Sequence, residues 1–284
     1  MNAISPAAPF IAGTTEHYAT VEGHRLRYLR AGYGAPLLLV HGLLGYSFSW
    51  RFNFEALGDI REVFAPDLLG TGFSDRPRKF DCSSEACARR LLRLMDEVGA
   101  KSFDLVGTSH GGGVAVMMAA LAPERVRKLV LVAPVNPWSK HGQWITRLLA
   151  RPLARSVFRT AAPRFRGTNS FWMSRIYGDP TRIAPGTLEG YMAPLLIDGI
   201  WDYGLDVVSC WHSDLAKLAE VYPQIKNPTL LMWGDRDPAV FISSAQNILQ
   251  AIPQARLEIF SGVGHLPYEE VPEQFNRALK QFLK

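Results

Sequence analysis

Gly107-Thr108-Ser109-His110-Gly111 lies between an apolar run, Ser102-Phe103-Asp104-Leu105-Val106, and a second stretch of helical character from Gly113 to Leu121. The pattern Gly-x-Ser-x-Gly at a strand-to-helix junction predicts a sharp turn. Such a turn holds the serine in a strained backbone conformation with its hydroxyl clear of the sheet, and side chains at 107 and 111 would collide with the flanking elements. The helix that follows brings its first amides near the hydroxyl, where an oxyanion would form. The plain alternative is a tight turn without chemistry. The strand before it and the helix after it favour a nucleophile at Ser109.

Serine is a weak nucleophile until a base takes its proton and an acid orients that base. Ser261-Gly262-Val263-Gly264-His265-Leu266-Pro267 follows a strand candidate, Arg256 to Phe260, and precedes an amphipathic helix, Pro272 to Leu283. His265 therefore stands on a glycine-flanked loop at a strand end. In Thr229-Leu230-Leu231-Met232-Trp233-Gly234-Asp235-Arg236-Asp237-Pro238 an apolar strand ends in glycine and two aspartates. The residues alone leave both Asp235 and Asp237 open as the acid. The chain order Ser, Asp, His differs from the trypsin-like and subtilisin-like orders.

With these motifs the chain resembles the α/β-hydrolase fold superfamily over nearly its whole length. Two more motifs stand in the family's order: His41-Gly42-Leu43-Leu44-Gly45 after the strand Pro36 to Val40, and Asp67-Leu68-Leu69-Gly70-Thr71-Gly72-Phe73-Ser74-Asp75 after Val63 to Pro66. The resemblance implies that the Gly-x-x-Asp residue, Asp237, is the acid and that Asp235 is a loop residue. The preceding strand, Lys128 to Ala133, runs into Pro134-Val135-Asn136 and offers no carboxylate in its place. The resemblance further implies an oxyanion hole made by the amides of Leu43 and His110, with the His41 and His110 side chains structural. A serine at the elbow sets the chain apart from the dehalogenase and epoxide-hydrolase branches, which use aspartate there. The Asp67 to Asp75 segment is expected to be a turn rather than a catalytic loop.

The 284 residues, 48% of them hydrophobic, suffice for one large core in a single domain with an insertion. Alternating strand and helix patterns with continuous apolar strands predict an α/β fold: a mostly parallel central sheet with helices on both faces. Glu16 to Val21 and Leu26 to Arg30 flank Glu22-Gly23-His24, a hairpin for the antiparallel edge. The expected hydrolase core is 1–134 and 213–284, with 1–15 a loose extension. Residues 135–212 break the alternation where the resemblance places a helical cap. The aromatics of this segment, Trp138, Trp172 and Trp201 among them, are candidates for an apolar roof over Ser109. Arg147, Arg151, Arg155, Arg159, Arg164 and Arg166, several of them four apart, are expected to face solvent.

The expected activity is cleavage of a carboxylic ester of a small to medium apolar substrate through an acyl-enzyme. A carbon–carbon bond hydrolase of ring-cleavage products and a ligand receptor retaining the triad are the alternatives. The net charge of +5 comes without a nucleic-acid motif, so a small-molecule substrate is the expected partner. Cys82, Cys87 and Cys210, an odd and low count, argue against a disulfide framework and suit a reducing compartment. They lack zinc-ligand spacing, so no metal and no cofactor is expected. The absence of a signal-peptide pattern and of an apolar run near 18 residues makes a cytoplasmic location, with no integral membrane segment, the expectation.

Overall fold

The computed structural model describes residues 7–139, 143–161 and 169–284. Thr15–Val21 (β1) and His24–Ala31 (β2) pair antiparallel around Glu22-Gly23. Both turn residues have positive φ, 54° and 79°, as the mirror-image turns that suit twisted hairpins require. Pro36–Val40 (β3), Phe54–Gly58 (α1), Glu62–Pro66 (β4), Ser84–Glu97 (α2), Phe103–Thr108 (β5), His110–Leu121 (α3) and Val126–Val132 (β6) follow. A helical stretch comes next: Gln143–Leu149 (α4), Pro152–Ala161 (α5), Asn169–Ile176 (α6), Thr187–Leu195 (α7) and Ile200–Val221 (α8). The chain closes with Thr229–Gly234 (β7), Ala245–Ala251 (α9), Arg256–Phe260 (β8), Pro267–Glu270 (α10) and Pro272–Leu283 (α11).

The strands form one sheet in the order β1-β2-β4-β3-β5-β6-β7-β8. β1 and β2 run antiparallel to their neighbours, and every pairing from β4 to β8 is parallel. The α/β fold read from the sequence is the fold observed. Its cause is visible in the strand residues. Leu38, Val40, Leu105, Leu129, Leu131 and Leu231 enter one core cluster, with α2 and α3. Leu37, Leu39, Val106, Val130, Val132 and Met232 enter the other, with α1 and α11. Successive strand residues point to opposite faces, so a strand covered on both sides must be apolar throughout. Each such side chain contributes roughly 1.5–3 kcal/mol when fully buried. α2 shows the complementary helical logic. The Ser83 hydroxyl accepts from the Ala86 amide as an N-cap, and Cys87, Ala88, Leu91, Leu94 and Met95 form its single buried stripe.

Helices α4 to α8, inserted between β6 and β7, make the cap. α8 runs unbroken from 200 to 221, so the boundary expected at 212 falls inside one helix. The expected loose extension is also more tied down than its composition suggests. Ile11 is buried in the second core cluster, and the Thr14 hydroxyl donates to its carbonyl at 2.8 Å; residues 1–6 lie outside the described residues.

Candidate active site

Parallel strands carry their following loops to one edge of the sheet, where α/β folds place ligands. Ser109 follows β5, Asp237 follows β7 and His265 follows β8. Ser109 has φ 52° and ψ −119°, a conformation that costs on the order of 1–3 kcal/mol for a residue with a side chain. The surroundings enforce it. Its amide donates to Val132 O at 2.9 Å, and its carbonyl accepts from the amides of Gly112 and Val135, each at 2.9 Å. A Cβ at Gly107 would strike the Gly111 carbonyl and come within 2.7 Å of Ala115 Cβ. One at Gly111 would strike the His41 carbonyl and sit 2.6 Å from Val40 O. These two glycines let α3 start directly against β5 and β3.

His265 Nδ1 lies 2.8 Å from Asp237 Oδ2. The other oxygen, Oδ1, accepts the amides of Ala239 at 2.8 Å and Val240 at 2.9 Å. Asp237 is thus fixed by backbone donors and turned toward the imidazole. Asp235, two residues earlier, points elsewhere. It accepts from the Gly262 amide at 2.7 Å and the Ser261 hydroxyl at 3.0 Å, clamping the loop that carries His265. With Nδ1 engaged by Asp237, Nε2 of His265 is left for the cavity it shares with Ser109.

Among the described residues, the amides of Leu43 and His110 make none of the backbone–backbone hydrogen bonds seen in the turns, loops and caps. His110 opens α3, where the first amides have no intrahelical acceptor. Leu44, next to Leu43, holds φ 57°, a second strained residue at the same edge. The loop is tied by His41, which is wholly buried. Its Nε2 accepts from the Leu68 amide at 3.0 Å, so Nδ1 carries the proton and donates to Gly42 O at 2.8 Å. Burial lowers the His41 pKa. The His110 ring is buried with both nitrogens unpartnered among the described residues, and burial pulls its pKa down to about 4. Asp67 accepts from the Ser47 and Phe73 amides, each at 2.8 Å, and from Arg27 at 3.1 Å. Its segment serves as a turn.

Ser109 and His265 open into a cavity of about 260 Å³. Its walls are Leu43, Leu44, Met173, Ile176, Leu188, Met192, Leu195 and Leu266, together with Ser49, Tyr191 and Tyr268, and among the described residues no lysine, arginine, aspartate or glutamate lines it. Among the described residues, the wall contributed by α6 and α7 is therefore mainly apolar and non-aromatic, with Tyr191 the exception. Neither Trp138 nor Trp201 lines it. Trp138 packs on Tyr222 at 5.2 Å, and Trp201 meets Phe158 edge-on at 6.2 Å within the cap. The Trp172 side chain lies outside the described residues, as do Arg164 and Arg166. Among the described residues no group of His, Cys, Asp or Glu is arranged to hold a metal ion.

Two carboxylates that sequence reasoning missed brace this site. Glu269 is buried and accepts from Arg51 Nη2 at 2.8 Å, from the Tyr177 hydroxyl at 2.8 Å and from the Tyr191 hydroxyl. Burial and the nearby Glu269 charge push the Tyr191 pKa far up, so its hydroxyl stays a donor. Glu270 accepts the amides of Gly264 at 2.7 Å and Gly178 at 2.9 Å, joining the His265 loop to the cap. The only sequence signal is an acidic pair four residues past His265, which reads as an ordinary helix start.

A family model described as alpha/beta hydrolase fold matches residues 35–179 and 207–272. The 2-hydroxymuconate semialdehyde hydrolase of Pseudomonas putida is 29% identical, covering 92% of this chain and 91% of its own. Lipase 3 of a Moraxella species is 27% identical, covering 88% of this chain and 77% of its own. The meta-cleavage product hydrolase of Pseudomonas fluorescens superposes with a TM-score of 0.79 at 24% identity, over 94% of this chain and 97% of the other, and so shares the fold. No described helix is long and apolar enough to cross a membrane. A strained serine at a strand-to-helix elbow, a parallel sheet with antiparallel β1 and β2, and a family match over most of the sequence lead to one conclusion: this chain belongs to the α/β-hydrolase fold family.

Proposed function

We propose that this hydrolase cleaves neutral carboxylic esters with apolar acyl groups through an acyl-enzyme on Ser109. The observation that carries the reading is the cavity beside Ser109 and His265, whose walls are apolar and, among the described residues, include no lysine, arginine, aspartate or glutamate. An anionic ring-cleavage product would leave its carboxylates unpaired there, at a cost of several kcal/mol for a desolvated charge. The ester reading is therefore favoured over carbon–carbon bond hydrolysis, the activity suggested by the semialdehyde hydrolase relative. No cofactor takes part in it.

His265 Nε2 takes the proton of Ser109 Oγ as the oxygen attacks the ester carbonyl. Asp237 holds Nδ1–H and stabilises the imidazolium. The amides of Leu43 and His110 receive the oxyanion, each such donor being worth about 3–4 kcal/mol in the transition state. His265 returns the proton to the departing alcohol. A water then gives its proton to Nε2 and attacks the acyl carbon; the bond to Ser109 Oγ breaks, Nε2 returns the proton to Oγ, and the carboxylic acid leaves. A cytoplasmic site of action belongs to the same reading, supported by three cysteines that are all free thiols.

Turnover of one neutral p-nitrophenyl ester and one dianionic vinylogous diketo acid tests the proposal. Multiple turnover of the ester with little activity on the dianion is expected. Efficient cleavage of the dianion overturns the reading in favour of a carbon–carbon hydrolase. A single burst without turnover overturns it in favour of a receptor.

A further inference from the structure

Helices α4 and α5 turn an apolar face outward. Trp144, Ile145, Leu148, Leu153 and Val157 are between 42% and 79% exposed. They make up five of the twelve exposed large hydrophobic residues among the described ones, within a segment of nineteen positions, 143–161. Neither helix buries a single residue. Scattered apolar residues on a surface are ordinary, whereas a contiguous set marks an interaction face. Their spacing is helical: 144, 145 and 148 share one side of α4, and 153 and 157 share one side of α5.

The inner edge of α5 is accounted for. Arg155 pairs with Asp206 and donates to Ser209 Oγ at 2.9 Å, and Arg159 lies 3.5 Å from Asp202, so both tie α5 to α8. Arg155 is partly buried against α8, contrary to the expectation from sequence, whereas Arg159 keeps 61% of its side chain exposed, as expected. Residues two apart on a helix point about 160° away from each other. Fixing Arg155 and Arg159 on α8 therefore turns Leu153 and Val157 outward. Arg147 and Arg151 are exposed and have no ion-pair partner among the described residues. The carboxylates that meet α5, Asp202 and Asp206 of α8, are taken up by Arg159 and Arg155. From Arg125 to Gly178 the sequence contains no aspartate or glutamate.

We propose that the α4–α5 hairpin is a docking element for the surface of an anionic lipid bilayer. Exposed Trp, Ile, Leu and Val side chains would enter the headgroup boundary, and Arg147 and Arg151 would meet the lipid phosphates, the arrangement of interfacial amphipathic helices. The absence of any acidic residue over that stretch is the complementarity that selects an anionic surface. A water-facing protein partner or a second copy of this chain, itself net positive, offers no such match. The docking claim does not depend on the ester reading.

Co-sedimentation of the full chain with vesicles tests it. One set is phosphatidylcholine alone, and the other is equal parts phosphatidylcholine and phosphatidylglycerol. Binding to the anionic vesicles should be at least about tenfold tighter and should fall away near about 0.5 M salt. Arg147→Glu with Arg151→Glu, and separately Trp144→Ser with Leu153→Ser, should each weaken binding at least about tenfold. Both double variants should keep the wild-type thermal midpoint and turnover of a soluble short-chain ester. The midpoint alone serves as the folding control should the ester reading fail. Brominated lipid should quench wild-type tryptophan fluorescence more than that of Trp144→Phe. Equal binding to both vesicle types, double variants that bind like wild type, or no vesicle binding at all overturns the proposal. Heparin binding as tight as vesicle binding, or a hairpin-dependent dimer in lipid-free solution, also overturns it, in favour of a polyanion or self-association surface.

Discussion

Replacing Asp237 by asparagine isolates the orientation of His265. In the wild type one carboxylate oxygen accepts two backbone amides, from Ala239 and Val240, and the other faces His265 Nδ1 at 2.8 Å. Asparagine can be seated in only one favourable way. Its carbonyl oxygen keeps the two amides, because the flipped rotamer would set an NH₂ group against two N–H donors and lose two hydrogen bonds of about 1 kcal/mol each. The NH₂ group then faces Nδ1, which must become an acceptor. The imidazole proton moves to Nε2, the atom needed to accept from Ser109. The fold stays, since two of the three contacts survive, while kcat falls on the order of 10⁴-fold, or about 5.5 kcal/mol of transition-state stabilisation. Asp235→Asn is the matched control. Its carbonyl can keep the Gly262 amide and its NH₂ can donate to the Ser261 hydroxyl, so kcat should change less than about tenfold. Turnover of p-nitrophenyl butyrate by both variants, beside their thermal midpoints, provides the assay. A large loss in Asp235→Asn with near-normal Asp237→Asn would refute the reasoning.

Three further outcomes follow from the same site. Lengthening the acyl chain of a neutral ester should raise kcat/KM by about fourfold per methylene, from about 0.8 kcal/mol each, until the 260 Å³ cavity is filled; a flat profile counts against an apolar acyl pocket. Glu269→Gln should destabilise the fold by about 3–5 kcal/mol in urea unfolding, because Arg51 is left buried without its counter-ion; an unchanged midpoint would contradict the brace. His110 has a folded-state pKa of about 4, below its ordinary value of 6.5, so the unfolded chain binds the proton first as pH falls. Its contribution is complete above about pH 6.5 and is lost toward pH 4, with a slope of at most about 1.4 kcal/mol per pH unit. His110→Leu should remove that part of the acid sensitivity, and parallel pH profiles for the two proteins would contradict it.

The parts legible in sequence are those fixed by local chemistry. Pro36 to Val40 reads as a strand buried on both faces because each residue is apolar, and Glu22-Gly23-His24 reads as a turn because Gly23, between two strand patterns, takes positive φ without a side-chain penalty. Ser109 at a Gly-flanked junction and His265 on the loop after Gly264 are local signals of the same kind, whereas the choice of Asp237 over Asp235 rests on the family resemblance; the strands before all three end at one edge of the sheet. The direction in which a cap side chain points is not local. Trp138 and Trp201 are as aromatic as a roof could require, yet Tyr222 and Phe158 take them. The roof falls to Met173, Ile176, Leu188, Met192 and Leu195, whose composition is that of any helix core. Glu269 is buried only because Arg51, 218 residues earlier, comes to meet it, and Arg155 is drawn partly out of solvent only because α8 presents Asp206. No window of sequence contains those partners together.

The central claim is that Ser109 forms the acyl-enzyme, and active-site labelling tests it most directly. A fluorophosphonate probe reacted with the native protein, followed by peptide mass mapping, should give one adduct, on the peptide bearing Ser109. Ser109→Ala should give none and should lose at least about 10³-fold in ester turnover with its fold intact. An adduct on Ser74 or Ser261, or ester turnover that survives in Ser109→Ala, would contradict the account.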